Sequence, residues 1–182
     1  MASLARTPLA RQLARPSPVL ADTPRLRIAL VEPAWQAYLS GDPDDAAFLA
    51  AAKDAFGAAP PLEPNRVAGD AIKAFWLAPG QWLLVGQDRA PPSTVGFVSE
   101  VGDGLAVFEL SGPAARDILA MGCALDLDGP GLAPGRCART NFAELHVLLY
   151  AHGSRDRFRL HVERQFALHL AEWLECAATA CA

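Results

Sequence analysis

The chain has 182 residues, of which 52% are hydrophobic, and this suits a single domain with a sizeable core. A net charge of −4 and scattered basic residues argue against binding to the phosphate backbone of a nucleic acid. The sequence contains neither an apolar run of the roughly 20 residues that span a bilayer nor the apolar core of a secretory signal. We therefore expect a cytoplasmic protein without membrane contact.

The first 24 residues are rich in proline and arginine and poor in large apolar side chains. Such a composition predicts an arm without a core of its own, which orders against a partner. A strand is predicted over residues 25–31, because large apolar residues there recur with a period of two. The sequence thus divides into an N-terminal arm over residues 1–24 and a single domain over residues 25–182.

A short aromatic patch follows. Trp35, Tyr38 and Leu39 have the i, i+3, i+4 spacing that gathers three side chains on one face of a helix. Trp35, Tyr38 and Trp173 serve either core packing or partner contact, and core packing is the favoured interpretation.

Two elements complete the first half of the domain. A helix is predicted to begin with Asp42 as its N-cap and to end at Gly57. A hairpin is predicted over residues 75–77 and 82–85, with its turn at Pro79 and Gly80.

The second half predicts strand, helix, strand, strand, helix. The strands are expected over residues 105–110, 143–150 and 158–162. One helix is expected from Gly112, its N-cap, to Gly122, and another over residues 164–178. Residues 102–104 are interpreted as a hairpin turn. We predict an α+β fold of ferredoxin-like β-α-β-β-α units.

Residue patterns for catalysis, cofactor binding or metal binding are weak in this chain. It lacks a G-x-S-x-G elbow, and Ser111 is explained by its place at a helix start. The four histidines are dispersed, and the four cysteines lack the spacings of zinc ligands, so buried free thiols are favoured. The acidic pairs at residues 44–45 and 126–128 suit a helix cap and a turn. The sequence predicts no catalytic, cofactor-binding or metal-binding residue.

Several stretches, in collinear order over about residues 25–178, resemble the sarcosine oxidase gamma subunit family. They are PLEPN (61–65), WLAPGQWLL (76–84), LSGPAAR (110–116), GCALDL (122–127), PGRCART (134–140) and RQFA (164–167) running into Trp173 and Leu174.

The resemblance implies a non-catalytic gamma subunit with a structural role in a heterotetrameric complex. Its partners would be alpha, beta and delta subunits, which would hold FAD, FMN, NAD, tetrahydrofolate and zinc, while this chain would bind no cofactor. Such complexes oxidise sarcosine to glycine, tetrahydrofolate accepting the one-carbon unit and oxygen the electrons. The predicted partner interface comprises Trp35 and Tyr38, with Leu9 and Arg11 from the arm.

The resemblance also implies a fold related to the folate-binding domain of aminomethyltransferases, with a truncated first repeat. The family has a helix between residues 85 and 97, for which this proline-containing segment is too short.

Two alternatives stay open. One is the corresponding subunit of an N-methylglutamate dehydrogenase-like complex, because substrate choice lies in another subunit. The other is a free-standing folate-dependent aminomethyl-transfer protein, for which Glu144 is the available acid.

Overall fold

The computed structural model describes residues 19–86, 95 and 97–181, except for the side chain of Asp103. These residues form three α-helices, which are α1 (Ala46–Phe56), α2 (Ala115–Gly122) and α3 (Ala167–Ala180). They also form eleven strands: β1 (Val19–Asp22), β2 (Arg27–Val31), β3 (Trp35–Ser40), β4 (Val67–Ala68), β5 (Ile72–Ala78), β6 (Gln81–Gly86), β7 (Phe97–Glu100), β8 (Leu105–Ser111), β9 (Cys137–Phe142), β10 (Leu145–Ala151) and β11 (Arg157–Glu163). Short 3₁₀ turns lie at Gly102–Gly104, Pro130–Leu132 and Arg164–Phe166.

The strands form two antiparallel sheets. Sheet A has the order β1-β2-β8-β11-β10-β9, and sheet B has the order β4-β5-β6-β3-β7. Helices and antiparallel sheets combine as the predicted α+β class requires, and that prediction is confirmed.

The two sheets repeat one arrangement. In sheet B, β3 leads through α1 to β4, β5 and β6, and β6 returns to pair with β3. In sheet A, β8 leads through α2 to β9, β10 and β11, and β11 returns to pair with β8. The strand before each unit joins the other sheet, because β2 pairs with β8 and β7 pairs with β3. Each sheet therefore contains a strand that belongs, by chain order, to the other repeat.

Apolar side chains fill three layers. A large core lies between sheet A and helices α2 and α3, and a second core lies between sheet B and α1. A third cluster joins the facing surfaces of the sheets and includes Phe75, Leu83, Leu148 and Tyr150. The order of layers is thus helix, sheet, sheet, helix. Among the described residues, no helix has both the length and the apolar character needed to cross a bilayer.

The first strand lies inside the predicted arm. β1 pairs with β2, and Leu20 and Ala21 pack against the core under sheet A. The predicted arm over residues 1–24 therefore overlaps the sheet at its end, because four residues beside a proline-rich segment give too short a pattern to recognise. Residues 1–18, which include Leu9 and Arg11, lie outside the described residues.

The aromatic patch at residues 35–40 is a strand, and the predicted helical face is wrong. β3 pairs with β6 on one side and with β7 on the other. Six residues satisfy the spacing of a helix and the alternation of a strand equally well, so pairing with two neighbours decides between them.

The predicted helix starts at Asp42 and Gly112 are displaced by about one turn. Asp45 caps α1 by accepting a hydrogen bond from Ala47 N at 2.8 Å, whereas Asp42 accepts from Asp44 N in the preceding turn. Gly57 ends α1 in the left-handed conformation as predicted. Gly112 is not the cap of α2, because that helix begins three residues later. Gly112 has a φ of 108° and packs against the carbonyl of Arg25, where a Cβ would lie 2.5 Å from the oxygen.

The hairpin in the first half is confirmed, while two details of the second half are corrected. β5 and β6 pair around Pro79 and Gly80 as predicted. Residues 102–104 do not turn a hairpin, because they link β7 in sheet B to β8 in sheet A. Strand β9 was not predicted, and it pairs with β10 through a tight turn at Ala143 and Glu144, both with positive φ. The segment that the family uses for a helix, between residues 85 and 97, lies largely outside the described residues.

Candidate functional site

The strand conformation of β3 separates the two aromatic residues of the predicted interface. Trp35 packs with Leu39 against the core under α1, together with Trp82. Tyr38 lies on the opposite face, towards sheet A, with 41% of its side chain exposed. Trp35 and Tyr38 therefore do not form one surface. Of the two, Tyr38 is the exposed residue. Trp173, the third aromatic candidate, packs edge-on against Phe142 at 4.9 Å.

Tyr38 lines a cleft between the two sheets. The cleft has a volume of about 870 Å³. Sheet B supplies Tyr38, Ser40, Gln81 and Leu83 to one wall. The facing wall on sheet A consists of residues from β8 to β11 and includes Leu105, Arg139, Asn141, His146, Leu148, His161 and Glu163. The volume of the cleft lies within the range of small-molecule binding sites.

His161 lies in the wall of this cleft and is only 4% exposed. Gln36, on the facing sheet, donates through Nε2 to the carbonyl of Leu105 at 3.0 Å, so its Oε1 is left to accept from His161 Nδ1 at 3.3 Å. The pair fixes the tautomer of the ring and ties the two sheets together. Among the described residues, His161 Nε2 has no hydrogen-bond partner.

The electrostatic environment keeps His161 neutral. Burial, and secondly the charge of Arg159, lowers the pKa of His161 to about 3. With Nδ1 carrying the proton, Nε2 presents an unshared lone pair at neutral pH. The histidine is therefore a hydrogen-bond acceptor without a donor.

Arg139 lies in the same row across sheet A as His161. Leu148 on β10 pairs with Arg139 on β9 and with His161 on β11. Arg139 is exposed, and the structure assigns it no ion pair or hydrogen bond within the part of the chain that it describes. The nearby acid Glu163, in contrast, accepts a hydrogen bond from Gln165 Nε2 at 2.8 Å. The cleft thus combines an unpaired cation at its edge with an unpaired acceptor in its wall.

A second polar cluster lies one row further along sheet A. Glu109, 7% exposed, binds Arg159 Nε at 2.8 Å and Arg157 Nη2 at 2.7 Å. Beside them Tyr150 Oη and His152 Nδ1 are 3.1 Å apart. Burial, followed by the charges of Arg159 and Arg157, lowers the pKa of His152 to about 4. Both arginines bind the same buried carboxylate within the cluster, so we interpret it as structural.

The family motifs occupy structural positions. Arg116, in LSGPAAR, donates to Leu127 O and Arg155 O, pairs with Asp128 and Asp156, and lies over the ring of Phe158. These contacts tie the start of α2 to the loops beside it.

The PLEPN motif joins the two sheets. Glu63 pairs with Arg136 at 2.5 Å and with Arg66 at 2.8 Å, and Cys137 N donates to Asn65 O. Trp82 Nε1, in the hairpin motif, donates to Pro61 O at 2.8 Å. The motif therefore connects β6 of sheet B to β9 of sheet A.

The remaining candidate ligands are dispersed. The described residues contain no group of three or more His, Cys, Asp or Glu side chains placed to hold a metal ion. All four cysteines are free thiols, but only Cys137 is buried and Cys176 is exposed, so the expectation of burial holds for one of them. Burial raises the pKa of Cys137 to about 12. Asp126 accepts from Asp128 N and Gly129 N, as its predicted place in a turn requires.

Sequence reasoning missed Arg139, His161 and the cleft itself. The signal available was the alternation in β11, which places Arg159, His161 and Glu163 together on one face. Alternation identifies the residues of each face, but it contains no indication that a second sheet covers this one.

The chain resembles curated sarcosine oxidase subunits, although no family model matches it. It is 29% identical over 136 residues to sarcosine oxidase subunit gamma of Corynebacterium sp. (strain U-96), a match that covers 69% of this chain and 66% of that protein. It is 30% identical over 141 residues to sarcosine oxidase subunit gamma of Arthrobacter sp, a match that covers 71% of this chain and 69% of that protein. The matched region thus spans about two thirds of the length of these relatives.

One solved structure extends the likeness over nearly the whole chain. A chain of heterotetrameric sarcosine oxidase from Corynebacterium sp. U-96, in complex with pyrrole 2-carboxylate, superposes with a TM-score of 0.83 at 26% identity, covering 98% of this chain and 96% of that chain. Aminomethyltransferase T of the Bartonella henselae glycine cleavage system reaches a TM-score of 0.49 at 17% identity, with 82% of this chain and 43% of that chain covered. The sequence identity and coverage of the curated relatives show that this chain belongs to the family of sarcosine oxidase gamma subunits.

Proposed function

We propose that this chain is the non-catalytic gamma subunit of a heterotetrameric sarcosine oxidase-like complex. The observation that carries the proposal is the superposition of 98% of this chain on a chain of heterotetrameric sarcosine oxidase, with a TM-score of 0.83. Its partners would be alpha, beta and delta subunits. The complex would demethylate sarcosine to glycine, tetrahydrofolate accepting the one-carbon unit and oxygen the electrons.

In this proposal the chain contributes a subunit-binding surface and a rigid fold to the complex, while partner subunits hold FAD, FMN, NAD, tetrahydrofolate and zinc. The polar groups of each cluster bind groups of the same chain: Glu109 is paired with two arginines, and Arg116 donates to carbonyls of adjacent loops. Tyr38, from the predicted interface, offers an exposed aromatic ring, the side-chain type enriched where subunits bind. The contributions of Trp35, Leu9 and Arg11 to the interface stay predictions.

Co-expression of the tagged chain with candidate alpha, beta and delta subunits tests the proposal. Size-exclusion chromatography, with flavin and protein absorbance recorded together, is expected to show one yellow assembly. That assembly should form peroxide when sarcosine is added and should respond more weakly to N-methylglutamate. A colourless chain that elutes alone beside well-folded partners would contradict the proposal, and preference for N-methylglutamate would favour the alternative complex.

A pair of variants tests the interface. Tyr38→Ser is expected to reduce the assembled fraction, because an aromatic anchor at an interface contributes more than most neighbouring contacts. Met121→Ser is the matched control, since Met121 is exposed on α2, across sheet A from the cleft. Equal assembly of the two variants would remove Tyr38 from the interface while leaving the subunit proposal intact.

A further inference from the structure

The cleft between the sheets contains two polar groups for which the described residues provide no partner. Arg139 at its edge lacks an anion among the described residues, and His161 Nε2 lacks a donor. A buried acceptor without a partner is costly, so it marks a position where a bound molecule gains a hydrogen bond. Exposure to solvent accounts for the lack of a protein partner at Arg139. It does not account for the lack of one at the buried His161 Nε2.

The spacing of these groups sets the length of a ligand. Arg139 and His161 both pair with Leu148, which places their backbones two strand spacings apart, about 9.5 Å. A six-membered ring with one substituent at each end bridges the two groups when the long, exposed side chain of Arg139 extends away from His161.

The shape of the cleft selects a flat molecule. The cleft lies between the facing surfaces of two sheets, so two broad walls bound it. Leu83 and Tyr38 on one wall and Leu105 and Leu148 on the other supply apolar and aromatic surface to a ring held between them.

We propose that this cleft binds a small aromatic monocarboxylate with a hydrogen-bond donor opposite its carboxylate. Arg139 binds the carboxylate, and His161 Nε2 accepts from the donor. Gln36 is a positioning residue, because its Oε1 holds the proton of His161 on Nδ1 and so keeps Nε2 free to accept. Glu163 lies two residues beyond His161 on β11, two strands away from Arg139, and accepts a hydrogen bond from Gln165, so among the described residues it forms no ion pair with that arginine.

Three probes test the two ends of the cleft without any substitution. Binding of 4-hydroxybenzoate, benzoate and 4-methylphenol to the full-length chain is measured by calorimetry and by saturation-transfer NMR at neutral pH. The first probe has both groups, the second lacks the donor, and the third lacks the anion. We expect 4-hydroxybenzoate to bind about tenfold more tightly than either of the others, since each removes one charged or buried hydrogen bond. Equal affinities for the three probes, or no saturation by any of them at millimolar concentration, would overturn the proposal.

Variants assign the two ends to residues. Arg139→Gln should weaken 4-hydroxybenzoate and benzoate about tenfold and leave 4-methylphenol unchanged. Arg25→Gln, which removes an exposed arginine outside the cleft, is the control and should change nothing. His161→Phe should abolish the preference for 4-hydroxybenzoate over benzoate. If Arg139→Gln and Arg25→Gln bind alike, the site lies elsewhere.

Different experimental outcomes would contradict the ligand site and the subunit role. Assembly without probe binding removes the ligand site alone. Probe binding by a chain that never joins flavin-bearing partners removes the subunit role alone.

Discussion

At the scale of single residues, Glu109 stands out because it is a buried carboxylate on β8. It is 7% exposed and is held by Arg157 and Arg159 of the neighbouring strand β11. Two charge-assisted hydrogen bonds compensate its removal from water. Loss of its charge would leave Arg159, which is itself 11% exposed, without an anion.

We therefore expect Glu109→Gln to destabilise the fold by about 3 kcal/mol, the cost of breaking a buried ion pair. Urea denaturation at neutral pH measures the change. Glu172→Gln is the control, because Glu172 is an exposed carboxylate on α3 and should contribute little. Similar losses in both variants would mean that the arginines do not depend on Glu109.

The effect of this substitution should depend on pH. Burial by itself raises the pKa of Glu109, but the hydrogen bonds and charges of Arg157 and Arg159 outweigh it, and the pKa lies below the usual 4.5. A carboxyl with a lowered pKa stabilises the fold fully above its unfolded value, and this contribution is lost as the pH falls through its folded value. The difference between wild type and Glu109→Gln should therefore shrink in acid, and a difference that stays constant would contradict the assignment.

At the scale of elements, the β5–β6 hairpin shows how local chemistry and tertiary contact combine. Gly80 has a φ of 73°, which side chains other than glycine rarely adopt. A Cβ at this position would also lie 2.7 Å from the carbonyl oxygen of Gly41, the residue that follows β3. The turn thus fixes the hairpin and its contact with the adjacent chain.

Gly80→Ala is expected to cost about 1 to 3 kcal/mol, the range for a residue held in a strained backbone conformation. Gly131→Ala is the matched control, since Gly131 lies in a short 3₁₀ turn where a Cβ would meet nothing within 4 Å. Thermal unfolding followed by circular dichroism compares the two. A loss for Gly131→Ala as large as that for Gly80→Ala would show that the strain at Gly80 is not the cause.

At the scale of the whole molecule, the exchange of β2 and β7 couples the two sheets. Each sheet is completed by a strand that the other repeat supplies, and the cluster around Phe75 fills the space between them. Phe75 is fully buried and its ring meets that of Tyr150 at 4.7 Å. We expect the sheets to unfold together as one cooperative domain.

Phe75→Ala is expected to lower the free energy of unfolding by about 3 to 5 kcal/mol, as for large core aromatic residues. Leu62→Ala, at a side chain that is 53% exposed, is the control with little expected effect. Tryptophan fluorescence reports mainly on sheet B, where Trp35, Trp76 and Trp82 lie, and circular dichroism reports on both sheets. Two separate transitions in the wild-type protein would contradict a single cooperative unit.

Features that depend on neighbours along the chain follow from the amino-acid sequence alone. The alternation of Phe158, Leu160 and Val162 predicts β11, the stripe of Phe48, Ala52 and Phe56 predicts α1, and Pro79-Gly80 predicts a turn. The collinear motifs likewise indicate the family, because each is a short run of residues in a fixed order. All of these depend on residues a few positions apart, so local patterns are sufficient.

Which faces of the elements meet depends on tertiary contacts. Residues 35–40 fit a helix or a strand, and pairing with β6 and β7 selected the strand and separated Trp35 from Tyr38. Gln36 and His161, 125 positions apart, come together because the sheets stack face to face. The cleft, with Arg139 at its edge and the buried His161 in its wall, follows from this stacking, and the stacking depends on long-range contacts that no local pattern in the sequence encodes.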